Sequence, residues 1–428
     1  MTTARDRGTR LSVQGPVRLH GSVRVSGAKN AALAMMCAAL LTTDDVVLQN
    51  VPRISDVASL SQLLRELGAS VDEEVRDDAL ALRINGSGVA TSDAPAELIN
   101  ENRASFQVIG PLLTRFGRAS APPPGGDSIG QRPIDVHLWG FSQLGADVIR
   151  QDNRHVVLAP TGLRGARIFM DYPSVSGTQN VLMAAVRASG RTTIVNAATE
   201  PEVQELGGLL NAMGARIKGL GTQCLEVVGV DDLHGTTWRV LADRIESGTY
   251  AIAAAMSGGD VFIEDAPVTV MDAPLAKLRA SGVETLVEPG GIRIRAMRPL
   301  KPFNFQALPY PGLPTDLQAP LATLLTQAVG TSTVHERVFD NRLLYIPELL
   351  KMGAEIQGSG SVAYIHGPSE LHGAKVRALD IRAGVAVLLA ALVAKGTTVV
   401  EDVYHLERGY DHLEEKLRTL GARVERID

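Results

Sequence analysis

The sequence predicts an α/β protein of six repeated units, three to each of two domains, with its most apolar helices innermost. Three observations lead there. A short phrase recurs about every 70 residues: Glu66-Leu-Gly-Ala69, Gln143-Leu-Gly-Ala146, Ala212-Met-Gly-Ala215, Ala280-Ser-Gly-Val283, Lys351-Met-Gly-Ala354 and Thr419-Leu-Gly-Ala422. Upstream of each copy lies an alanine-rich stretch that is apolar on every side, as a buried helix is. In most units a β-branched run follows that stretch, as in Thr192-Thr-Ile-Val195, Asp260-Val-Phe-Ile263 and Thr397-Thr-Val-Val400, and reads as a strand.

Taken in order, the apolar helices are expected over 30–41, 105–116, 178–188, 249–256, 317–329 and 384–394. Each recurring phrase closes a second, amphipathic helix, marked in the first unit by Leu60, Leu63, Leu64 and Leu67 at helical spacing. Its glycine is then the C-terminal cap, and alternation suited to a strand follows, as at Val71 or Val148. A unit of buried helix, strand, amphipathic helix and strand cannot close its core alone. Several must pack together with the apolar helices inside. Three per domain divides the chain into 29–241 and 1–28 plus 242–428, with crossings near Ser26 to Lys29 and near Leu241. The stretch from Val17 to Val25 precedes the first buried helix and is expected to complete the sheets of the last units.

At 428 residues the chain can bury a proper core in each domain. Aromatic residues make up 4% and the formal charge is -5, with no lysine- or arginine-rich run, so nucleic-acid binding has little support. Cys37 and Cys224 lie in apolar sequence at no metal or disulfide spacing. Both read as core filler. The opening ten residues lack the apolar stretch of a secretory signal, and no helix reaches the roughly 20 apolar residues of a membrane span. A soluble, cytoplasmic protein is expected.

One loop stands outside the repeat: Pro122-Pro-Pro-Gly-Gly-Asp-Ser-Ile-Gly-Gln-Arg-Pro-Ile-Asp-Val-His137. Three prolines stiffen its start, and the glycines allow turn geometries other residues avoid. It holds Asp127, Arg132, Asp135 and His137. On residue type alone an Asx-turn and solvated surface charges explain these as well as a site does. Elsewhere, Lys29 reads as a solvated first-turn lysine or an anion ligand. Asp316 sits in Pro-Thr-Asp before an apolar helix, which is also a good N-cap sequence. Asp380, where the last buried helix begins, has the same ambiguity.

Five motifs taken together bring a family into view: Val25-Ser-Gly-Ala-Lys-Asn-Ala-Ala-Leu33, Arg103-Ala-Ser105, Pro124-Gly-Gly-Asp-Ser-Ile-Gly-Gln-Arg-Pro133, Pro314-Thr-Asp-Leu-Gln318 and His405-Leu-Glu-Arg-Gly-Tyr410. The chain resembles, nearly end to end, the UDP-N-acetylglucosamine 1-carboxyvinyltransferases, the enolpyruvyl transferases that open peptidoglycan synthesis. The resemblance implies a two-domain inside-out α/β barrel with the active site between the domains. It also implies transfer of the enolpyruvyl group of phosphoenolpyruvate to the 3-hydroxyl of UDP-N-acetylglucosamine, with no cofactor and no metal. Such chemistry needs a base for the hydroxyl, an acid for C3, cations for carboxylate and phosphate, and exclusion of water.

By this resemblance the catalytic residues are Asp127, Asp316, Lys29 and Arg408. Phosphoenolpyruvate is held by Lys29, Arg103, Arg132, Arg382 and Arg408, and Asp380 orders the site beside Arg382. The nucleotide sugar is contacted by Asn30, Arg103, Arg132, Pro133, Ile134, Asp135, Ser174, Val175, Asp316 and Val338. Four positions depart from the common pattern. Tyr172 stands where many relatives have lysine, Ser176 where glycine is usual, and Thr199 where arginine often precedes Glu200-Pro-Glu202. Asp127 occupies the position of the reactive cysteine. A carboxylic acid can deliver a proton as a thiol does, but it cannot be captured through sulfur, so resistance to fosfomycin-type epoxides is implied. Two other readings stay open: a related transferase acting on another uridine nucleotide such as UMP, and an inactive binding paralogue. Shikimate 3-phosphate transfer is disfavoured by the Pro-Gly-Gly-Asp and Ser-Gly-Ala-Lys-Asn motifs.

Overall fold

The computed structural model describes residues 8–76, 79–126, 130, 133–297 and 299–427. Each inner helix is buried almost wherever its sequence is apolar all round. In Ile381–Val393 every residue from Ile381 to Leu392 is buried, and in Lys29–Ala38 all but Asn30 are. Ile109–Phe116, Val175–Ala185, Arg244–Ser257 and Gln318–Leu325 complete the set. Alanine makes this possible, because a helix packed on all sides leaves little room for long side chains.

Three of these helices begin earlier than their apolar pattern, because a polar residue caps them. Ser174 Oγ accepts from the Gly177 amide, Asp243 from Ile245 and Glu246, and Asp380 from Arg382 and Ala383. The apolar run from Leu317 to Val329 is shorter as a helix than expected. It ends at Leu325, and the chain turns before the strand Gly330–Glu336.

The chain divides into two compact units, one built on Gly27–Gly126 and 133–241, the other on 242–427, the chain before Gly27 and Gly130. In each, a recurring sheet pattern sets one parallel pair beside two antiparallel pairs. In the first unit Thr236–Arg239 runs parallel to Asp45–Val51, which pairs antiparallel with Ala79–Asn85 and through it Ser70–Arg76. Arg167–Phe169, Arg191–Val195, Cys224–Val228 and Arg216–Lys218 repeat this order. The remaining sheet, Arg118–Ala121, Arg154–Leu158 and Asp147–Gln151, keeps only a bridge from Asp93 to Ser120 in place of the parallel strand.

In the second unit the pattern recurs in full. His20–Arg24 lies parallel to Asp260–Glu264, and Phe305–Ala307 parallel to Gly330–Glu336. Lys375–Arg377 lies parallel to Gly396–Glu401, and Arg10–Gly15 is inserted between that strand and Arg423–Ile427. The amino-terminal segment therefore serves two sheets. Arg10–Gly15, not the stretch from Val17 to Val25, completes the last one, while His20–Arg24 joins the sheet of the fourth repeat.

The six phrase glycines, Gly68, Gly145, Gly214, Gly282, Gly353 and Gly421, all have φ between 89° and 105°. That left-handed backbone ends each outer helix and is strained for other residues. Cys37 is buried as expected, but Cys224 is exposed. It alternates with buried Leu225 and Val227 and so lies on the open face with Glu226. No helix among the described residues is long and apolar enough to cross a membrane.

Candidate active-site residues

In the first unit the chain enters its first inner helix through Gly27, whose missing side chain lets the backbone of Asn50 approach. A Cβ there would fall 1.7 Å from Asn50 O. Asn50 is held in turn by donating to Val240 O at 2.9 Å, and Ala28 donates to Leu241 O at 2.7 Å. This clamp fixes the start of the helix and with it Lys29. The lysine is not solvated: Nζ meets Asp56 Oδ2 at 2.7 Å, with both side chains more than nine-tenths buried. Asn30, one residue on, is exposed.

Arg103 opens a short 3₁₀ turn capped by Asn102 Oδ1, which accepts from the Ser105 amide. Its guanidinium donates to Pro133 O at 2.9 Å. Through that bond it reaches the segment of Pro133, Ile134 and Asp135, where the helix Asp135–Gln143 begins. In the first turn of this helix His137 is 2% exposed. Its Nδ1 lies 3.0 Å from Asn180 Nδ2 and its Nε2 3.3 Å from Ser176 Oγ, and Phe106 packs edge-on against the ring at 5.5 Å. Burial, and after it the charge of Arg103, pulls the imidazole down to about 3. It is a neutral, fixed element rather than a cation for ligands. Ser174 and Val175 form the start of the neighbouring helix, while Tyr172 is exposed just before them.

The second unit assembles a different group. Asp316 does not cap the helix that follows it. It lies in the turn Thr315–Leu317, and its carboxylate accepts from Arg342 through Oδ1 and from Arg382 through Oδ2, each at 2.8 Å. Both arginine side chains are more than nine-tenths buried, whereas Asp316 is 23% exposed. Burial alone would lower Arg382, but the adjacent Asp316 carboxylate, together with Tyr410 and Asp243, outweighs it and raises the guanidinium above its ordinary range. Arg382 also lies 5.3 Å over the ring of Tyr410, and Arg342 5.4 Å over that of Phe339.

Glu336, buried at the end of its strand, braces the same group. One oxygen accepts from Thr315 Oγ1 at 2.8 Å, and the other accepts the amides of Val338 and Phe339 at 2.7 and 3.2 Å. Val338 is thereby tied to the Asp316 turn. Asp380 is the N-cap of its helix, accepting from the Arg382 amide at 2.6 Å. Arg408 is 7% exposed and follows the short helix Tyr404–Glu407. Beside it Gly409 has no room for a side chain, since a Cβ would fall 2.4 Å from Ile381.

The structure thus gathers Asp316, Arg382, Asp380 and Val338 through direct bonds or shared partners, and separately links Arg103 to Pro133. Asp127 and Arg132 lie outside the described residues. Sequence reasoning missed Asp56, Arg342 and Glu336. Asp56 gave only the signal of an acid in the first turn of a helix, which the helix dipole explains by itself.

Residues 13–417 match the family model of EPSP synthase (3-phosphoshikimate 1-carboxyvinyltransferase). Among curated relatives, the UDP-N-acetylglucosamine 1-carboxyvinyltransferase of Sorangium cellulosum is 46% identical over 98% of both chains. That of Zymomonas mobilis is also 46% identical, over 98% of this chain and 99% of its own. Among solved structures, the enolpyruvyl transferase NikO from Streptomyces tendae superposes with a TM-score of 0.88 at 25% identity, covering 98% of each chain. EPSP synthase from Acinetobacter baumannii gives 0.75 at 18% identity, covering 98% of this chain and 100% of its own, a likeness of fold.

Proposed function

Since the chain belongs to the EPSP synthase family of enolpyruvyl transferases, we propose that it transfers the enolpyruvyl group of phosphoenolpyruvate to the 3-hydroxyl of UDP-N-acetylglucosamine. Phosphate is released, and the reaction opens peptidoglycan synthesis. The observation that carries the reading is the 44–46% identity over 98% of the chain to enzymes of that name. The site chemistry of the two units is consistent with it.

The 3-hydroxyl oxygen attacks C2 of phosphoenolpyruvate while a proton is added at C3. The tetrahedral adduct then loses that proton equivalent and phosphate, restoring the double bond. Asp316, with an oxygen fixed by each of two guanidiniums, accepts the hydrogen bond of the hydroxyl and takes its proton as the C–O bond forms. Lys29, Arg103, Arg132, Arg382 and Arg408 neutralise the carboxylate and phosphate of phosphoenolpyruvate, guanidinium being suited to planar, bidentate contact. Asp127 delivers the proton to C3. Asn30, Pro133, Ile134, Asp135, Ser174, Val175 and Val338 contact the nucleotide sugar.

Phosphate release with phosphoenolpyruvate and UDP-N-acetylglucosamine, run beside UMP as the alternative acceptor, tests this directly. Turnover with the amino-sugar nucleotide is expected. Turnover with UMP alone would replace the proposed acceptor, and none with either would leave a binding paralogue.

A further inference from the structure

A chain of hydrogen bonds in the first unit has its direction fixed from the buried end. Gly110 donates its amide to Asn180 Oδ1 at 2.9 Å. The close approach requires glycine, because a Cβ there would fall 2.5 Å from Asn180. With its oxygen engaged, Asn180 turns its NH₂ toward Phe106 O at 3.2 Å and His137 Nδ1 at 3.0 Å. An amide NH₂ only donates, so Nδ1 accepts and the imidazole proton resides on Nε2. That nitrogen faces Ser176 Oγ at 3.3 Å. The serine oxygen therefore accepts from the ring, and its own proton is left to donate elsewhere.

The ring does not reverse this direction on protonation, since burial and Arg103 keep it neutral down to about pH 3. Ser176 is the partly exposed end of the chain, in the first turn of Val175–Ala185. The turn is seated closely: a Cβ on Gly177 would fall 2.8 Å from Val136 Cγ1. The other serine of the turn, Ser174, accepts from the Gly177 amide at 3.2 Å. Ser176 is thus an oriented donor beside first-turn amides, which have no acceptor within the helix.

We propose that Ser176 is a specificity-determining residue, its hydroxyl aligned by Asn180 and His137 to donate to a phosphate oxygen of the nucleotide acceptor. This rests on the proposed function, in which Ser174 and Val175 contact the nucleotide sugar. On that reading the Ser176 hydroxyl distinguishes a nucleotide carrying phosphate from a nucleoside without it.

Binding of UDP and of uridine to the full chain, measured by calorimetry for wild type, Ser176→Ala and Ser176→Thr, tests the proposal without requiring turnover. Removing a hydrogen bond to a charged group lowers UDP affinity about tenfold or more, and uridine affinity stays within about twofold. Ser176→Thr retains the hydroxyl and most of the UDP affinity. In turnover the loss falls on KM for the nucleotide sugar rather than on kcat. Unchanged UDP binding in a folded Ser176→Ala variant, or equal losses for UDP and uridine, overturns the proposal. Intact UDP discrimination in a protein that does not turn over UDP-N-acetylglucosamine supports the role of Ser176 and overturns the acceptor.

Discussion

Asp316 and Arg382 meet at 2.8 Å through Oδ2 and Nη2, with the arginine side chain 6% exposed and the carboxylate 23% exposed. Arg342 holds the other oxygen at the same distance. An acid anchored on both oxygens keeps a fixed orientation while remaining accessible to a substrate hydroxyl. Asp316→Asn keeps the shape but leaves two buried guanidiniums facing an amide. Turnover is expected to fall at least about 100-fold, with stability lower by about 1–3 kcal/mol. Initial rates and denaturant melts on the same preparation separate the two effects. A variant that melts early but turns over normally when folded would make Asp316 a structural ion-pair partner only.

Lys29 depends on Asp56 in a comparable way. Breaking a buried pair by removing one charge costs about 3 kcal/mol or more, so Asp56→Asn should melt well below wild type. If Lys29 contacts phosphoenolpyruvate, KM for that substrate should rise more than KM for the nucleotide sugar. Equal changes in both would assign Asp56 to the fold and not to the placement of the ammonium group.

The repeat was legible in the sequence because its signals are local. A left-handed backbone at Gly68 or Gly353 demands glycine, and an all-round apolar run such as Ile381 to Leu392 has no place but the interior. Capping was legible only in part: Asp316 and Asp380 each precede a buried helix, and Asp380 caps while Asp316 is drawn to Arg342 and Arg382. Nothing within a few residues of Asp316 could show that, since its partners lie 26 and 66 positions away. The pairing of Lys29 with Asp56 was hidden for the same reason. Cys224 was readable but misread, because the alternation that buries Leu225 and Val227 places it with exposed Glu226. Which sheet the amino-terminal strands join is decided by strand pairing more than 200 positions away in sequence.

His137 gives the protein a defined acid response. Its folded pKa, about 3, lies below the ordinary value of 6.5, so the unfolded chain binds the proton first. Its contribution is complete above about pH 6.5 and is lost progressively as pH falls toward 3, at about 1.4 kcal/mol per pH unit. His137→Gln should therefore be less stable than wild type near pH 7.5, with the gap narrowing as the pH is lowered. Chemical denaturation at pH 7.5 and pH 5 measures it. A gap that stays constant or widens toward acid would show that the imidazole is not held neutral.

The last expectation concerns Asp127, which the proposed mechanism makes the proton donor to C3. To protonate C3 near neutral pH it must hold a proton for part of the cycle, although an unperturbed aspartate titrates near 3.9. Exclusion of water around bound substrates raises such a group, and neighbouring cations lower it. A donor role makes the rate fall as pH rises past the working pKa. It also makes Asp127→Asn nearly inactive, because the amide preserves the shape but has no acidic proton to give. Asp127→Cys should retain turnover and acquire time-dependent inactivation by a fosfomycin-type epoxide, since a thiolate is a good nucleophile. The wild-type carboxylate should resist that epoxide. Turnover after preincubation, compared across wild type and both variants, checks all of this together. Time-dependent inactivation of the wild type, or full activity in Asp127→Asn, would remove Asp127 from the role of proton donor.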